Sequence, residues 1–91
     1  MKYRSRIEIL AEILEIANGN TVRISKLIRY SNIPHNLLKQ HLTELMANGL
    51  IEYQEEQRTY KTGYRGLYFI NKYNQMNELM TIPITKVSAL K

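Results

Sequence analysis

The sequence is poor in the residues on which many enzymes and secreted proteins depend. It contains no cysteine, which excludes disulfides, thiolate metal sites and cysteine nucleophiles, and favours a reducing cytoplasm over secretion. It contains no aspartate, because all eight acidic residues are glutamate, and its four glycines form no phosphate-binding loop. Its serines and histidines form no convincing catalytic set with a carboxylate. The sequence therefore predicts a protein that is not an enzyme and uses no cofactor.

Long apolar runs are also missing. The first six residues are basic, as in a signal peptide, but Glu8, Glu12 and Glu15 interrupt the apolar stretch that follows. A signal peptide or a membrane span requires an uninterrupted apolar segment. We therefore expect neither a signal nor a membrane anchor in this stretch.

The chain is basic, and its basic residues are unevenly placed. Its 91 residues, of which 44% are hydrophobic and 23% charged, suit one globular domain, and 13 Lys and Arg against 8 Glu give a net charge of +5. Residues 21–44 hold four basic side chains against one acidic, whereas residues 45–60 hold one against three. A basic segment of this kind indicates a polyanionic partner.

Sequence signals at the start of the chain predict a first helix. Ser5 and Glu8 form a capping box, in which each side chain satisfies a backbone donor of the first turn. Apolar residues fill most of the positions between the glutamates, so most of the helix should be buried. Gly19 follows Asn18 and is typical of a residue that ends a helix. The first helix is expected to stop near Asn18.

A strand and two further helices are predicted next. Residues 21–24 alternate polar and apolar side chains, as in a short strand, and Ser25 is expected to cap a helix over residues 26–30. Pro34 separates this helix from a third one over residues 34–47, which Asn48 and Gly49 close. Leucine at helical spacing marks the inward stripe of the third helix, and polar residues mark its opposite face. The inward residues are Leu38, Leu42 and Leu45; the outward ones are Asn36, Lys39, Gln40 and Thr43.

The remaining chain predicts a β-hairpin and a last helix. Residues 50–53 and 58–61 are short runs with aromatic and branched side chains, separated by a polar turn. Thr62 is expected to cap a fourth helix, whose inward stripe holds Ile70, Tyr73, Met76 or Asn77, and Met80. Residues 81–91 have no helical period and are expected to form an extended or mobile tail after a domain over residues 1–80. The predicted fold class is mostly α with a small β-hairpin, in the order α-β-α-α-β-β-α, which is the layout of a winged helix-turn-helix.

Several stretches together resemble a known family. They are RSRIEIL at 4–10, SNI at 31–33, the leucine-rich run at 38–45, NGLI at 48–51 and YKTGYRGL at 60–67. The ordered set, over residues 4–78, resembles the small archaeal winged-helix DNA-binding proteins, in particular a dimeric group sometimes described as chromatin-associated. The resemblance implies a cytoplasmic, nucleoid-associated protein that binds double-stranded DNA without catalysis and forms a homodimer through its last helices.

The candidate site residues follow from the charge pattern and from this resemblance. Basic side chains of the helix-turn-helix would contact phosphates, and polar side chains of the recognition helix, residues 34–48, would face the major groove. The candidate DNA-binding residues are Arg23, Lys26, Arg29, His35, Asn36, Lys39, Gln40, Thr43 and Arg58. The candidate dimer interface is Ile70, Tyr73, Met76, Asn77 and Met80. Leu37, at the edge of the recognition helix, either touches a thymine methyl or packs against the wing.

Two alternatives remain open from the sequence, and a metal site is not expected. Glu55 and Glu56 stand at the hairpin tip, where a wing that contacts phosphates would carry Lys or Arg, so a protein-interaction module without DNA contact is the second hypothesis. The seven tyrosines suit base stacking on single strands, although core and interface packing explains them better. His35 and His41 are six residues apart and cannot bind one metal ion, and His41 with Glu44 supplies only two ligands, so no metal is expected.

Overall fold

The computed structural model describes residues 5–80. The elements in chain order are α1 (Arg6–Ile16), α2 (Ile24–Ser31), α3 (His35–Ala47), β1 (Ile51–Gln54), β2 (Thr59–Thr62) and α4 (Tyr64–Met80). This order confirms the predicted mostly helical fold with an antiparallel β-hairpin. The predicted tail at 81–91 lies outside the described residues.

Helix α1 begins as the capping box predicts. The Ser5 hydroxyl accepts a hydrogen bond from the Glu8 N–H at 3.1 Å, and the Ser5 N–H donates to the Glu8 carboxylate at 3.2 Å. The helix ends at Ala17, and Gly19 has the positive φ of 86° that glycine adopts without steric cost. Both ends of α1 were therefore predictable from local sequence.

The predicted strand at residues 21–24 is wrong in extent. Only Val22 pairs, through an isolated bridge in which its N–H donates to the Tyr60 carbonyl at 2.8 Å and the Tyr60 N–H donates back at 2.6 Å. Helix α2 already starts at Ile24, and Arg23 occupies the N-cap without a side-chain hydrogen bond. The predicted Ser25 cap is therefore also wrong, because Ser25 lies inside the first turn.

The hairpin is anchored to α1 by its last residue. The Thr62 hydroxyl donates to the Leu14 carbonyl at 2.6 Å, and the Thr62 N–H donates to the Ala17 carbonyl at 2.9 Å. Thr62 is therefore the end of β2 and not the predicted cap of α4. The register pairs Tyr53 with Tyr60 across the hairpin, with ring centroids 4.8 Å apart.

The core lies between the helices and the hairpin. Its fully buried side chains come from α1, α2 and α3 at the expected spacing: Ile13, Leu14, Leu27, Leu38, Leu42 and Leu45. Helix α4 closes the core by packing on α1 and β2. Gly66 makes this approach possible, because an added Cβ would lie 2.2 Å from the Leu50 carbonyl oxygen.

The inward stripe of α4 is only partly covered. Ile70 is buried in the core, and Tyr73 is half-buried. Farther along the same helix, Met76 and Met80 are 61% and 83% exposed. The apolar stripe of α4 thus continues past the part of the helix that packs on α1, and its final turns are exposed.

Candidate nucleic-acid interface

Exposed polar and basic side chains lie on both α2 and α3, and we call them together the α2–α3 surface. On α3 the buried leucines fix the opposite face outward, and the predicted residues Asn36, Lys39, Gln40 and Thr43 are all exposed on it. They fall within about a third of a turn of one another because i, i+3, i+4 and i+7 positions share a helix face. The structure therefore brings together the polar residues that the periodicity of α3 predicts.

Two of these side chains already have local hydrogen bonds. The Asn36 side-chain oxygen accepts from the Leu37 N–H at 3.0 Å, and the Thr43 hydroxyl donates to the Lys39 carbonyl at 2.9 Å. A bidentate contact to adenine uses both the oxygen and the nitrogen of an amide. The Asn36 oxygen has a second lone pair and its NH₂ group is available as a donor, so the local bond orients the side chain without preventing that contact.

The exposed face of α2 has a shallow depression lined by basic side chains. Ser25, Lys26, Arg29 and Tyr30 line this depression. The Lys26 ammonium lies over the Tyr30 ring, 5.7 Å from its centroid, a cation–π contact that orients the charge. Arg23, the N-cap residue of α2, is also exposed and precedes these residues in the chain. Hydroxyl, ammonium and guanidinium groups around one depression are suited to a phosphate.

The beginnings of α2 and α3 differ from that of α1. Neither helix has a side-chain cap or an acidic residue in its first turn, since Arg23 and Pro34 occupy their N-caps. First-turn N–H groups and the positive end of the helix dipole attract anions when no carboxylate occupies them. In α1, by contrast, Glu8 occupies this position. Sequence reasoning missed this feature, because it placed Ser25 at the cap of α2.

His35 and Leu37 border this surface. His35 is exposed in the first turn of α3. Leu37 is 39% exposed at the edge of the same helix. An apolar side chain at such an edge can contact a thymine methyl group.

The wing carries the opposite charge. Glu55 and Glu56 are exposed in the turn between the strands, as predicted, and Glu52 is exposed on β1. Arg58 is exposed at the end of the turn, where its φ of 55° places it in the left-handed region. The candidate residue Arg58 thus shares the turn between the strands with Glu55 and Glu56.

His41 lies on the packed side of α3 and not on its exposed face. It is half-buried, and the pKa of its imidazole is lowered first by burial and second by the nearby Arg6 cation. Arg6 forms an ion pair with Glu44, which joins the start of α1 to α3. Within residues 5–80, no group of three or more potential ligands is placed to hold a metal ion.

The candidate dimer residues divide into two sets. Ile70 is a core residue of the single chain. Met76, Asn77 and Met80 are exposed, and Tyr73 lies between the two environments. A partner chain can therefore reach the final turns of α4 but not Ile70.

The comparisons with known proteins point to one family. A family model described as "Winged helix-turn-helix" matches residues 3–81. A search of curated proteins finds no match. No helix within the described part of the chain is long and apolar enough to span a membrane.

Proposed function

The chain belongs to the winged helix-turn-helix family, and from this premise we propose that it binds double-stranded DNA and catalyses no reaction. In this fold the recognition helix enters the major groove, and α3 is that helix here. The observation that carries the proposal is the α2–α3 surface, which combines four exposed cations with two uncapped helix N-termini.

The two helices of this surface have different roles in the proposed binding: α2 contacts phosphates and α3 contacts bases. Arg23, Lys26 and Arg29 on the α2 side supply charge to the phosphate backbone, which gives affinity without sequence preference. On α3, Lys39 and Gln40 reach toward base edges, together with Asn36, whose side chain is oriented by its local bond. Such a protein acts either as a transcription regulator or as a chromatin component of the nucleoid.

A homodimer through α4 is part of the proposal. The exposed apolar residues Met76, Leu79 and Met80 lie on the last turns of α4, where a second copy would cover them. A two-fold interface would also present two recognition helices to one duplex.

Charge reversal on the surface tests the proposal. Lys39→Glu and Arg29→Glu should each weaken binding of a labelled random-sequence duplex at least about tenfold at low salt, because each turns an attraction to phosphate into a repulsion. Fluorescence anisotropy gives the affinity, and thermal melting shows whether the exposed substitutions leave the fold intact.

Asn74→Glu with Gln75→Glu is the matched control, because it changes the net charge by the same two units at exposed positions of α4. This control should bind the duplex almost as the native chain does. If the control and the α3 variant lose affinity equally, only net charge matters and the assigned surface is wrong.

The acidic wing favours a second candidate, a module that binds a basic protein. Three exposed carboxylates, Glu52, Glu55 and Glu56, lie on the hairpin against two exposed cations, Arg58 and Lys61. If this is the function, the native chain should fail to bind duplex DNA, and Glu55→Lys with Glu56→Lys should abolish binding of a Lys-rich peptide. Duplex binding that depends on Lys39 would contradict it.

A further inference from the structure

The outward face of α4 carries an aromatic surface that duplex binding does not use. Tyr64 and Tyr68 are 91% and 65% exposed, although packing in the core or in an interface was the expected role of the helix-four tyrosines. They lie one turn apart on the side of α4 opposite Ile70, which faces the core. Neither ring is needed to fill the core of the single chain.

This surface is also cationic. The Lys72 ammonium lies over the Tyr68 ring, 5.2 Å from its centroid. Arg65, next to Tyr64 in the chain, donates from Nε to the Asn48 carbonyl at 3.1 Å, which fixes its guanidinium at the end of α3 and leaves the terminal nitrogens as donors. The groove has a volume of about 630 Å³ and is lined by two tyrosines, two cations and two amide side chains together with the apolar side chains of Leu50, Leu67 and Phe69. No carboxylate is among its lining residues within the described part of the chain.

The spacing of the rings suits separated bases. Four residues of helix advance about 6 Å along the axis, which exceeds the spacing of about 3.4 Å between bases stacked in a duplex strand. Two bases of an unstacked single strand can therefore each meet one ring, the base on Tyr68 using the face that Lys72 leaves uncovered. Aromatic platforms beside cations are how proteins hold single-stranded nucleic acid without reading its sequence.

We propose that Tyr64, Tyr68, Arg65 and Lys72 form a second nucleic-acid surface, which binds single strands by stacking bases on the two rings. None of these four residues belongs to the α2–α3 surface, and the groove meets α3 only at its C-cap residue Asn48 within the described chain. The charge favours an anionic occupant over a cationic one: a phosphate backbone complements Arg65 and Lys72 in a groove whose described lining residues include no carboxylate.

The test is anisotropy of the full chain with a labelled oligothymidylate of about 12 nucleotides, which forms no duplex and is long enough for such a site. Tyr64→Ala with Tyr68→Ala should weaken its binding at least about fivefold, the loss expected for one stacked base. Tyr64→Phe with Tyr68→Phe keeps both rings and should bind nearly as the native chain does.

Duplex binding separates this proposal from the previous one. The double-alanine variant should bind duplex DNA as the native chain does, and Lys39→Glu should lose duplex binding while keeping most oligothymidylate binding. If the native chain binds oligothymidylate but no duplex, the duplex proposal fails and this one stands.

Three results would overturn the inference. The first is no oligothymidylate binding at low salt, and the second is equal binding by the native and double-alanine chains. The third is a lower sedimenting mass of the double-alanine variant, since the rings would then pair two copies of the chain. A melting temperature close to the native one for both tyrosine variants ensures that any loss of binding reflects the surface.

Discussion

At the scale of single residues, Gly66 shows how packing overrides helix propensity. Glycine inside a helix costs about 1 kcal/mol relative to alanine. In α4, however, the missing side chain lets the helix approach the Leu50 carbonyl and the Thr62 methyl group, which an added Cβ would meet at 2.2 and 2.6 Å. The Leu50 carbonyl accepts from the Gly63 N–H and the Thr62 hydroxyl donates to the Leu14 carbonyl, so neither group can move aside cheaply.

Gly66→Ala should therefore destabilise the fold by about 2 kcal/mol or more, because an overlap in a packed core costs more than the propensity gain returns. Urea unfolding followed by circular dichroism measures the effect. Gln75→Ala, an exposed helix position, should stay within about 0.5 kcal/mol of the native free energy of unfolding. A more stable Gly66→Ala chain would show that α4 does not sit against Leu50 as described.

His41 makes stability depend on pH. Burial and the Arg6 cation lower the pKa of its imidazole below the usual 6.5, so the unfolded chain takes up a proton at a higher pH than the folded chain. The unfolded state then binds more protons as the pH falls through 6.5, and the free energy of unfolding falls with it.

We expect the melting temperature to drop between about pH 7 and pH 5, and His41→Gln to flatten that drop. His35→Gln, at an exposed position, is the matched control and should keep the native pH profile. If the melting temperature of His41→Gln changed with pH as the native one does, protonation of His41 would not be the cause of the drop.

At the scale of elements, local signals predicted most of the fold. The Ser5 capping box, the leucine periodicity of α3 and the two strand runs all correspond to observed elements. Ser25 and Thr62 were both predicted as helix caps, and both predictions failed because residues far away in the sequence form hydrogen bonds in these two regions. Val22 pairs with Tyr60, and the Thr62 hydroxyl bonds to Leu14, 48 residues away, so neither role is visible in a short window of sequence.

The same limit applies to the candidate interface. Periodicity predicted which side chains of α3 are exposed, because a buried stripe fixes its opposite face. It did not predict the Asn36 hydrogen bond, the uncapped start of α2 or the exposed pair Tyr64 and Tyr68. These depend on where an element begins and on what lies beside it.

The last turns of α4 lead to a prediction about assembly. If Met76 and Met80 pack against a second copy, the native chain should sediment as a dimer, and Met76→Lys with Met80→Lys should sediment as a monomer because buried ammonium groups would be unpaired. Asn74→Lys with Gln75→Lys, at exposed neighbouring positions, should leave the dimer intact. A native chain that sediments as a monomer at all accessible concentrations would contradict the interface.

At the scale of the whole molecule, charge is separated by element. The cations Arg23, Lys26, Arg29 and Lys39 lie on α2 and α3, whereas the wing and α1 carry most of the carboxylates. This separation gives a chain of modest net charge one face that attracts a polyanion. Affinity should therefore depend on that face more than on the total charge.

The most direct test is the salt dependence of duplex binding by the native chain, measured as anisotropy of a labelled random-sequence duplex. We predict that the logarithm of the affinity falls linearly with the logarithm of the salt concentration. The slope should correspond to about four or more phosphate contacts per dimer, because each contact releases bound counterions. No binding at low salt, or an affinity that salt does not change, would contradict the assignment of the α2–α3 surface to DNA.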